Sequence, residues 1–154
     1  MIVNPMVLDV AEQQTATIHL VIPGVDMPRY MDPAITEVFE ALSTLRMAPI
    51  GPLFSYHHRR PSDTFDFEIG VPIDQPFAAT GRVRPSAIPA CRVFRVTYVG
   101  PYDGLGPAWQ ESSALLEAAG HRSAGTFWES YVTDPTQEPD SSAWRTELNW
   151  VILA

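Results

Sequence analysis

Residues 51–69 read GPLFSYHHRRPSDTFDFEI, and residues 125–148 read GTFWESYVTDPTQEPDSSAWRTEL. Each stretch starts at a glycine, enters an apolar run, crosses a polar turn and ends in an alternating segment with a central glutamate. Alternation of apolar and polar side chains is the pattern of a half-buried β-strand. When the two stretches are superimposed, Gly51 falls on Gly125 and Glu68 on Glu147. This similarity predicts an internal duplication in which each copy contains a β-hairpin.

A strand and a helix precede each hairpin. In the first copy, residues 8–21 contain a strand, and a helix begins at Asp32-Pro33, where Asp is an N-cap and Pro takes the first helical position. This helix should end before Pro49, because the residue preceding a proline avoids the α region. In the second copy, residues 91–99 form a strand and residues 105–119 a helix that Gly120 ends. Residues 79–89 between the copies are expected to be a loop.

We therefore expect one α+β domain over residues 1–154, with halves at about residues 7–80 and 90–153. The predicted fold is a tandem, pseudo-symmetric β-α-β-β duplication. It forms an antiparallel sheet with two helices on one face and a ligand cleft on the other. In such a duplication Glu68 and Glu147 project from the same side of the sheet, away from the helices.

Composition excludes several classes of protein. Ten Lys and Arg residues against 18 Asp and Glu residues give a net charge of −8, which disfavours direct binding to nucleic acid or to an anionic membrane surface. No uncharged stretch approaches the ~20 apolar residues of a membrane helix, and no secretory signal is visible. A single cysteine fits a reducing compartment. We expect a cytoplasmic protein.

The sequence offers little for metal, cofactor or covalent chemistry. Adjacent residues of a strand point to opposite faces, so His57 and His58 do not bind one ion together. The other two histidines, His19 and His121, are isolated in the sequence. The chain contains no lysine, which excludes Schiff-base chemistry. We expect no metal and no cofactor.

Glu147 is the first candidate for a functional residue. A carboxylate in the middle of an aromatic-rich strand can attract a cation, or it can act as a general acid or base when its pKa is raised. The alternative is a solvated carboxylate paired with Arg145. Aromatic side chains suit a broad pocket for planar ligands, although they also suit a plain hydrophobic core; the ones concerned are Tyr56, Trp109, Trp128 and Tyr131.

Several motifs together resemble the GyrI-like family, also called the bacterial effector-binding domain, to which the ligand domains of the regulators BmrR and Rob are related. In the second half they are YVGPYDGLGPAW (residues 98–109), GTFWESYVTDP (125–135) and PDSSAWRTELNW (139–150). GPLFSYHH (51–58) and FDFEIGVPI (65–73) match the first half. The resemblance covers residues 7–152 and implies a tandem duplication with a ligand cleft between its halves.

The resemblance implies a binder of bulky lipophilic or aromatic compounds, often cationic, with a role in multidrug binding or toxin sequestration. The family's acidic ligand contact falls on Glu147, and Glu68 is its counterpart in the first half. The aromatic contacts fall on Trp109, Trp128, Tyr131 and Tyr56.

Two alternatives stay open. The first is a cofactor-independent hydrolase of reactive cyclopropanes that uses Glu147 and Tyr131, and the second is a protein-interaction module. The sequence leaves the ligand's identity and the oligomeric state open.

Overall fold

A computed structural model describes all 154 residues of the chain. The two α-helices are α1 (Met27–Thr44) and α2 (Leu105–Ala118). The eight strands are β1 (Ile2–Val10), β2 (Gln13–Pro23), β3 (Phe54–His57), β4 (Thr64–Pro72), β5 (Arg84–Ile88), β6 (Cys91–Val99), β7 (Ser123–Tyr131) and β8 (Arg145–Ile152).

The strands form one antiparallel sheet in the order β1-β6-β8-β7-β3-β4-β2-β5. Strands β3 and β7, one from each copy of the repeat, pair at its centre. Each half follows the order β-α-β-β, with β2, α1, β3 and β4 in the first half and β6, α2, β7 and β8 in the second. The predicted α+β duplication is confirmed.

Both helices pack on the same face of the sheet. Helix α1 buries Val38 and Leu42 against alternate residues of β2 and β4, such as Phe67. Helix α2 buries Ala108 and Leu116 against Phe127, Leu148 and Trp150. The period of two along each strand therefore selects the side chains that face the helices.

The ends of the two helices show the duplication most clearly. The amide of Met47 donates to the carbonyl of Leu42, and the amide of His121 donates to the carbonyl of Leu116. Between each pair lies a residue in the left-handed region, Arg46 (φ 56°) in one half and Gly120 (φ 83°) in the other. The two helices therefore end in the same backbone motif, a common way to satisfy the last carbonyl groups of a helix.

Glu68 and Glu147 both project from the face opposite the helices, as the duplication predicts. Glu68 lies opposite Tyr56 in the pairing of β3 with β4, and Glu147 lies opposite Ser130 in the pairing of β7 with β8. Their neighbours Phe67 and Leu148 are fully buried on the helix side.

The face opposite the helices is largely filled, contrary to the expected ligand cleft there. Side chains from both edges of the sheet join one buried cluster with Tyr56 and Trp128 on this face. Ile88 comes from β5 at one edge, and Leu8 and Val10 come from β1 at the other. The predicted loop at residues 79–89 contains β5, and this edge strand contributes to the cover.

Helix α1 begins six residues earlier than the sequence predicts, because its first residue is Met27 and not Pro33, and its N-cap is Asp26 and not Asp32. Pro28 is the second residue of the helix, within the first turn where proline is tolerated, and Pro33 lies inside the helix on its exposed side. Neither helix is long and apolar enough to cross a membrane.

Candidate functional site

A cavity of about 950 Å³ lies on the helix side of the sheet, between α1 and the start of α2. Its floor is the central strand pair, which contributes Ser55, His57, Glu129 and Tyr131. Its walls are mainly apolar and come from α1, from the start of α2 and from the loops around residues 49–53 and 132–136; they include Met27, Met31, Ile35, Phe39, Leu105 and Val132. The cavity therefore lies where the two halves of the repeat meet.

Strand alternation explains why these polar side chains reach the cavity. Ser55 and His57 of β3 point to the helix side, while Phe54 and Tyr56 point away. On β7, Phe127, Glu129 and Tyr131 share the helix side. The register of β7 shifts between Ser123 and Phe127, at a bulge that contains Gly125 with φ 101°. A left-handed backbone suits glycine there, and the bulge sets the phase of the strand that carries Glu129.

Glu129 is held by donors on both of its oxygens. Trp109 of α2 donates its indole N–H to Oε1 at 2.6 Å, and the hydroxyl of Tyr131 donates to Oε2 at 2.7 Å. The hydroxyl of Ser55 lies 2.9 Å from that of Tyr131. Since Tyr131 uses its proton toward Glu129, Ser55 is the donor in this second contact. The acid and the phenol thus have fixed positions at the base of the cavity.

Burial raises the pKa of Glu129 above its ordinary value of 4.5, because the protein interior disfavours the charged form. The hydrogen bonds from Trp109 and Tyr131 oppose this effect but do not cancel it. Burial, reinforced by the charge of Glu129, also raises the pKa of Tyr131 well above 10. Tyr131 is therefore a neutral phenol that can donate a hydrogen bond at neutral pH.

His57 adds no positive charge to the cavity. Its ring stacks on Phe127, with centroids 4.7 Å apart, and on Phe67 at 5.2 Å. Burial lowers the pKa of His57 to about 4, so the ring is neutral at physiological pH. No arginine lines the cavity, and its other ionisable groups include Asp32 and Asp134 at the mouth. The ionisable side chains that line the cavity are therefore acidic or neutral, and none of them is a cation.

The family model described as the GyrI-like small molecule binding domain matches residues 4–152, nearly the whole chain. The chain belongs to this family. No protein in the comparison with curated sequences matches the chain.

Solved structures share the GyrI-like fold at low sequence identity. The C-terminal domain of EcmrR is 18% identical, with a TM-score of 0.79 over 97% of both chains. In a complex of EcmrR with DNA, the present chain covers 57% of the EcmrR chain at 21% identity and a TM-score of 0.81. SAV2435 bound to tetraphenylphosphonium is 9% identical, with a TM-score of 0.70 over 99% of this chain and 95% of that one. A hydrolase from Listeria innocua is 14% identical, with a TM-score of 0.65 over 97% of this chain and 91% of that one.

The structure brings two of the predicted site residues to the cavity region of this GyrI-like domain. Tyr131 lines the cavity, and Trp109 contacts Glu129 from α2. Four others lie on the opposite face of the sheet: Tyr56, Glu68, Trp128 and Glu147. Tyr56 stacks on Trp128 at 5.7 Å within a buried cluster, as a hydrophobic core residue does.

Both glutamates of the opposite face have partners there. Glu147 Oε2 lies 3.5 Å from an Arg95 guanidinium nitrogen. Glu68 accepts a hydrogen bond of 2.7 Å from Thr17 and lies 2.8 Å from His58. Neither carboxylate reaches the cavity, because both side chains point away from the helices.

Sequence reasoning missed Glu129, although a signal for it was present. The segment FWESY alternates, so Glu129 shares a face with Phe127 and Tyr131. Superposition of the two copies also places it on Ser55, in the strand pair that joins the halves. A carboxylate among inward-facing aromatic residues is the more unusual feature, because acids are rarely buried without a reason.

Proposed function

We propose that this domain is a cytoplasmic binder of bulky lipophilic cations, that the ligand occupies the cavity between α1 and α2, and that Glu129 is its anionic contact. The observation that carries this proposal is a partly buried carboxylate, fixed by hydrogen bonds at the base of a large apolar cavity with no cationic side chain lining it. A buried carboxylate is costly unless a positive charge compensates it. An organic cation supplies that charge and fills the apolar volume.

The walls suit flat or globular organic ions better than small hydrated ones. A volume of about 950 Å³ lies at the upper end of the roughly 300–1,000 Å³ that ligand pockets occupy. Met27 and Met31 on α1 are flexible and polarizable, so they can adapt to ligands of different shape. This adaptability supports a multidrug-type binder with a role in drug or toxin sequestration.

Tetraphenylphosphonium in the related fold of SAV2435 supports the same ligand class. It is a bulky aromatic cation without a hydrogen-bond donor. A net charge of −8 further supports a cationic small molecule as partner over direct contact with nucleic acid.

Binding of tetraphenylphosphonium, followed by calorimetry at low and high salt, tests the proposal. Loss of one partner of a buried charge contact costs several kcal/mol, so we expect Glu129→Gln to weaken binding by at least about tenfold. Glu147→Gln is the matched control, because it removes the same charge from the opposite face; it should change the affinity by less than about twofold. Equal effects of the two substitutions, or no binding by the wild type, would contradict the proposal.

A hydrolase is the second candidate, because Tyr131 and Glu129 share a hydrogen bond of 2.7 Å at the cavity floor. Glu129 would accept a proton from water as the water oxygen bonds to a carbon of a strained cyclopropane. The ring bond between that carbon and its neighbour would break, its electron pair would pass to the neighbouring carbon, and Tyr131 would protonate this neighbour. The proton on Glu129 would then return to Tyr131 along their hydrogen bond. A raised pKa brings a glutamate closer to the range in which a general base is effective.

The hydrolase candidate differs from the sequence-based hypothesis in its acid, because the structure pairs Tyr131 with Glu129 and not with Glu147. Turnover of an activated cyclopropane, measured against the buffer rate, tests it. Tyr131→Phe and Glu129→Gln should each abolish most of the rate, and Glu147→Gln should not. If the wild-type protein hydrolyses the cyclopropane no faster than buffer alone does, the protein is a binder and not a hydrolase. The third hypothesis, a protein-interaction module, predicts no deep pocket, and the cavity disfavours it.

A further inference from the structure

Two histidines and two carboxylates converge on the sheet face opposite the helices, away from the cavity. His19 of β2 lies directly opposite Glu68 of β4. His58, just after β3, donates its amide to the carbonyl of Asp66 on β4. Three adjacent strands thus bring these four side chains together, because their alternation places all of them on the same face.

We propose that His19, His58 and Asp66 bind a divalent transition-metal ion, with Glu68 as a fourth ligand or an outer partner. One ligand atom from each of the first three residues lies within 4.8 Å of the others. Four ligands at the usual Zn²⁺ distances of about 2.0–2.1 Å stand roughly 3.4 Å apart in a tetrahedron. Small side-chain rotations therefore suffice to bring these ligand atoms to coordination distance from one ion.

The geometry favours metal binding over two independent ion pairs. His19 Nε2 lies 2.5 Å from Asp66 Oδ1, and His58 Nε2 lies 2.8 Å from Glu68 Oε2, so both rings present the same nitrogen to the carboxylates. The two imidazoles approach each other edge to face at 72°, with centroids 5.3 Å apart. Two unrelated pairs have no need to bring their imidazoles together in this way.

The surroundings supply orientation and access. Thr17 donates a hydrogen bond of 2.7 Å to the other oxygen of Glu68, which orients this carboxylate as outer partners orient metal ligands. The side chain of His19 is 55% exposed and that of His58 is 38% exposed, so an ion can reach the cluster from solvent.

The donor set defines the class of ion. Imidazole and carboxylate without thiolate suit Zn²⁺, Co²⁺, Ni²⁺ and Fe²⁺, whereas Ca²⁺ and Mg²⁺ prefer oxygen ligands alone. The expectation that His57 and His58 do not share an ion holds, because His57 faces the helices. The partner of His58 is His19, a residue 39 positions earlier in the chain, and only the pairing of the strands brings the two together.

Calorimetric titration of the full chain with Zn²⁺, and visible absorption with Co²⁺ as a spectroscopic probe, test the proposal. We expect one ion per chain and Co²⁺ bands typical of nitrogen and oxygen ligands. Because the ligands must be deprotonated, binding should weaken from pH 7.5 to pH 5.5. His19→Ala, His58→Ala and Asp66→Asn should each lower the affinity by about tenfold or more. The two histidines are exposed, so their replacement should leave the fold intact, which the circular dichroism spectrum checks.

His121→Gln is the matched control, because His121 packs near Phe94 on the helix side. It should change the Zn²⁺ affinity by less than about twofold. The proposal would be overturned by the absence of saturable Zn²⁺ binding, by full retention of binding in the double variant His19→Ala/His58→Ala, or by loss of binding in His121→Gln.

Discussion

Ser55 and Glu129 lie directly opposite each other where β3 pairs with β7. They are also counterparts in the duplication, since superposition of Gly51 on Gly125 places one on the other. The same superposition matches His57 with Tyr131, which flank this pair on the cavity floor. Equivalent positions in the two halves thus carry different side chains on the cavity floor, and only the second half places an acid there. A single carboxylate on the axis between the halves suits a ligand with one positive charge.

The affinity for a lipophilic cation should fall as the pH falls through the raised pKa of Glu129. Protonation removes the charge that the cation contacts, and burial places this event above the ordinary value of 4.5. Tetraphenylphosphonium affinity measured between pH 8 and pH 5 checks this, because His57, with a pKa of about 4, stays neutral throughout. Glu129→Gln should give a flat profile, and an equal slope in that variant would assign the pH dependence to other groups.

Glu129→Gln should make the unliganded domain more stable at neutral pH. A carboxyl group whose pKa is raised on folding binds its proton more tightly in the native state. Its contribution to the free energy of unfolding therefore falls as the pH rises from about 4.5 through the raised pKa. We expect a Tm increase of roughly a few degrees at pH 7 that shrinks toward pH 4. A Tm difference between the variant and the wild type that stays constant across this pH range would show that packing, and not ionisation of Glu129, causes it.

Tyr131→Phe should weaken cation binding less than Glu129→Gln does. The substitution keeps the ring but removes the hydroxyl that donates to Glu129. A hydrogen bond to a charged group contributes about 1.5–3 kcal/mol, so its loss disfavours the ionised acid without deleting it. Calorimetry across the same pH range should show the midpoint of binding moved to higher pH. An unshifted midpoint would mean that the hydroxyl does not stabilise the carboxylate.

Trp109 and Trp128 form a matched pair for separating the cavity from the opposite face. Trp109 donates a hydrogen bond to Glu129, whereas Trp128 stacks on Tyr56 on the sheet face opposite the helices. Replacement of either with Phe should lower the free energy of unfolding by about 1–3 kcal/mol, since each loses buried packing. Only Trp109→Phe should also weaken cation binding. The prediction fails if Trp128→Phe weakens binding to the same extent.

Much of the fold follows from local patterns in the sequence. The alternation in β4 and β8 and the repeated order of elements suffice to place both helices on one face. The edge strand β5 escapes such reasoning, because Arg84-Pro85-Ser86 is polar and contains a proline, which strands tolerate only at an edge. The start of α1 escapes it too, since both Pro28 and Pro33 are compatible with a first turn.

The candidate site is harder to predict, because the position of a cavity is a tertiary property. Period-two patterns tell which residues share a face, but they do not tell which face stays open. Two helices on one side leave a gap between them over β3 and β7, and this gap exposes Glu129. On the other side, side chains from both edges of the sheet pack into a buried cluster with Tyr56 and Trp128. Neither feature is encoded locally.

The most direct test of cation binding between the helices is a crystal structure of the chain with tetraphenylarsonium, in which anomalous scattering locates the arsenic atom. We expect the arsenic between α1 and the start of α2, above Glu129 and Tyr131, with the phenyl rings against Met31 and Leu105. Arsenic on the opposite face, over Tyr56, Trp128 and Glu147, would contradict this account.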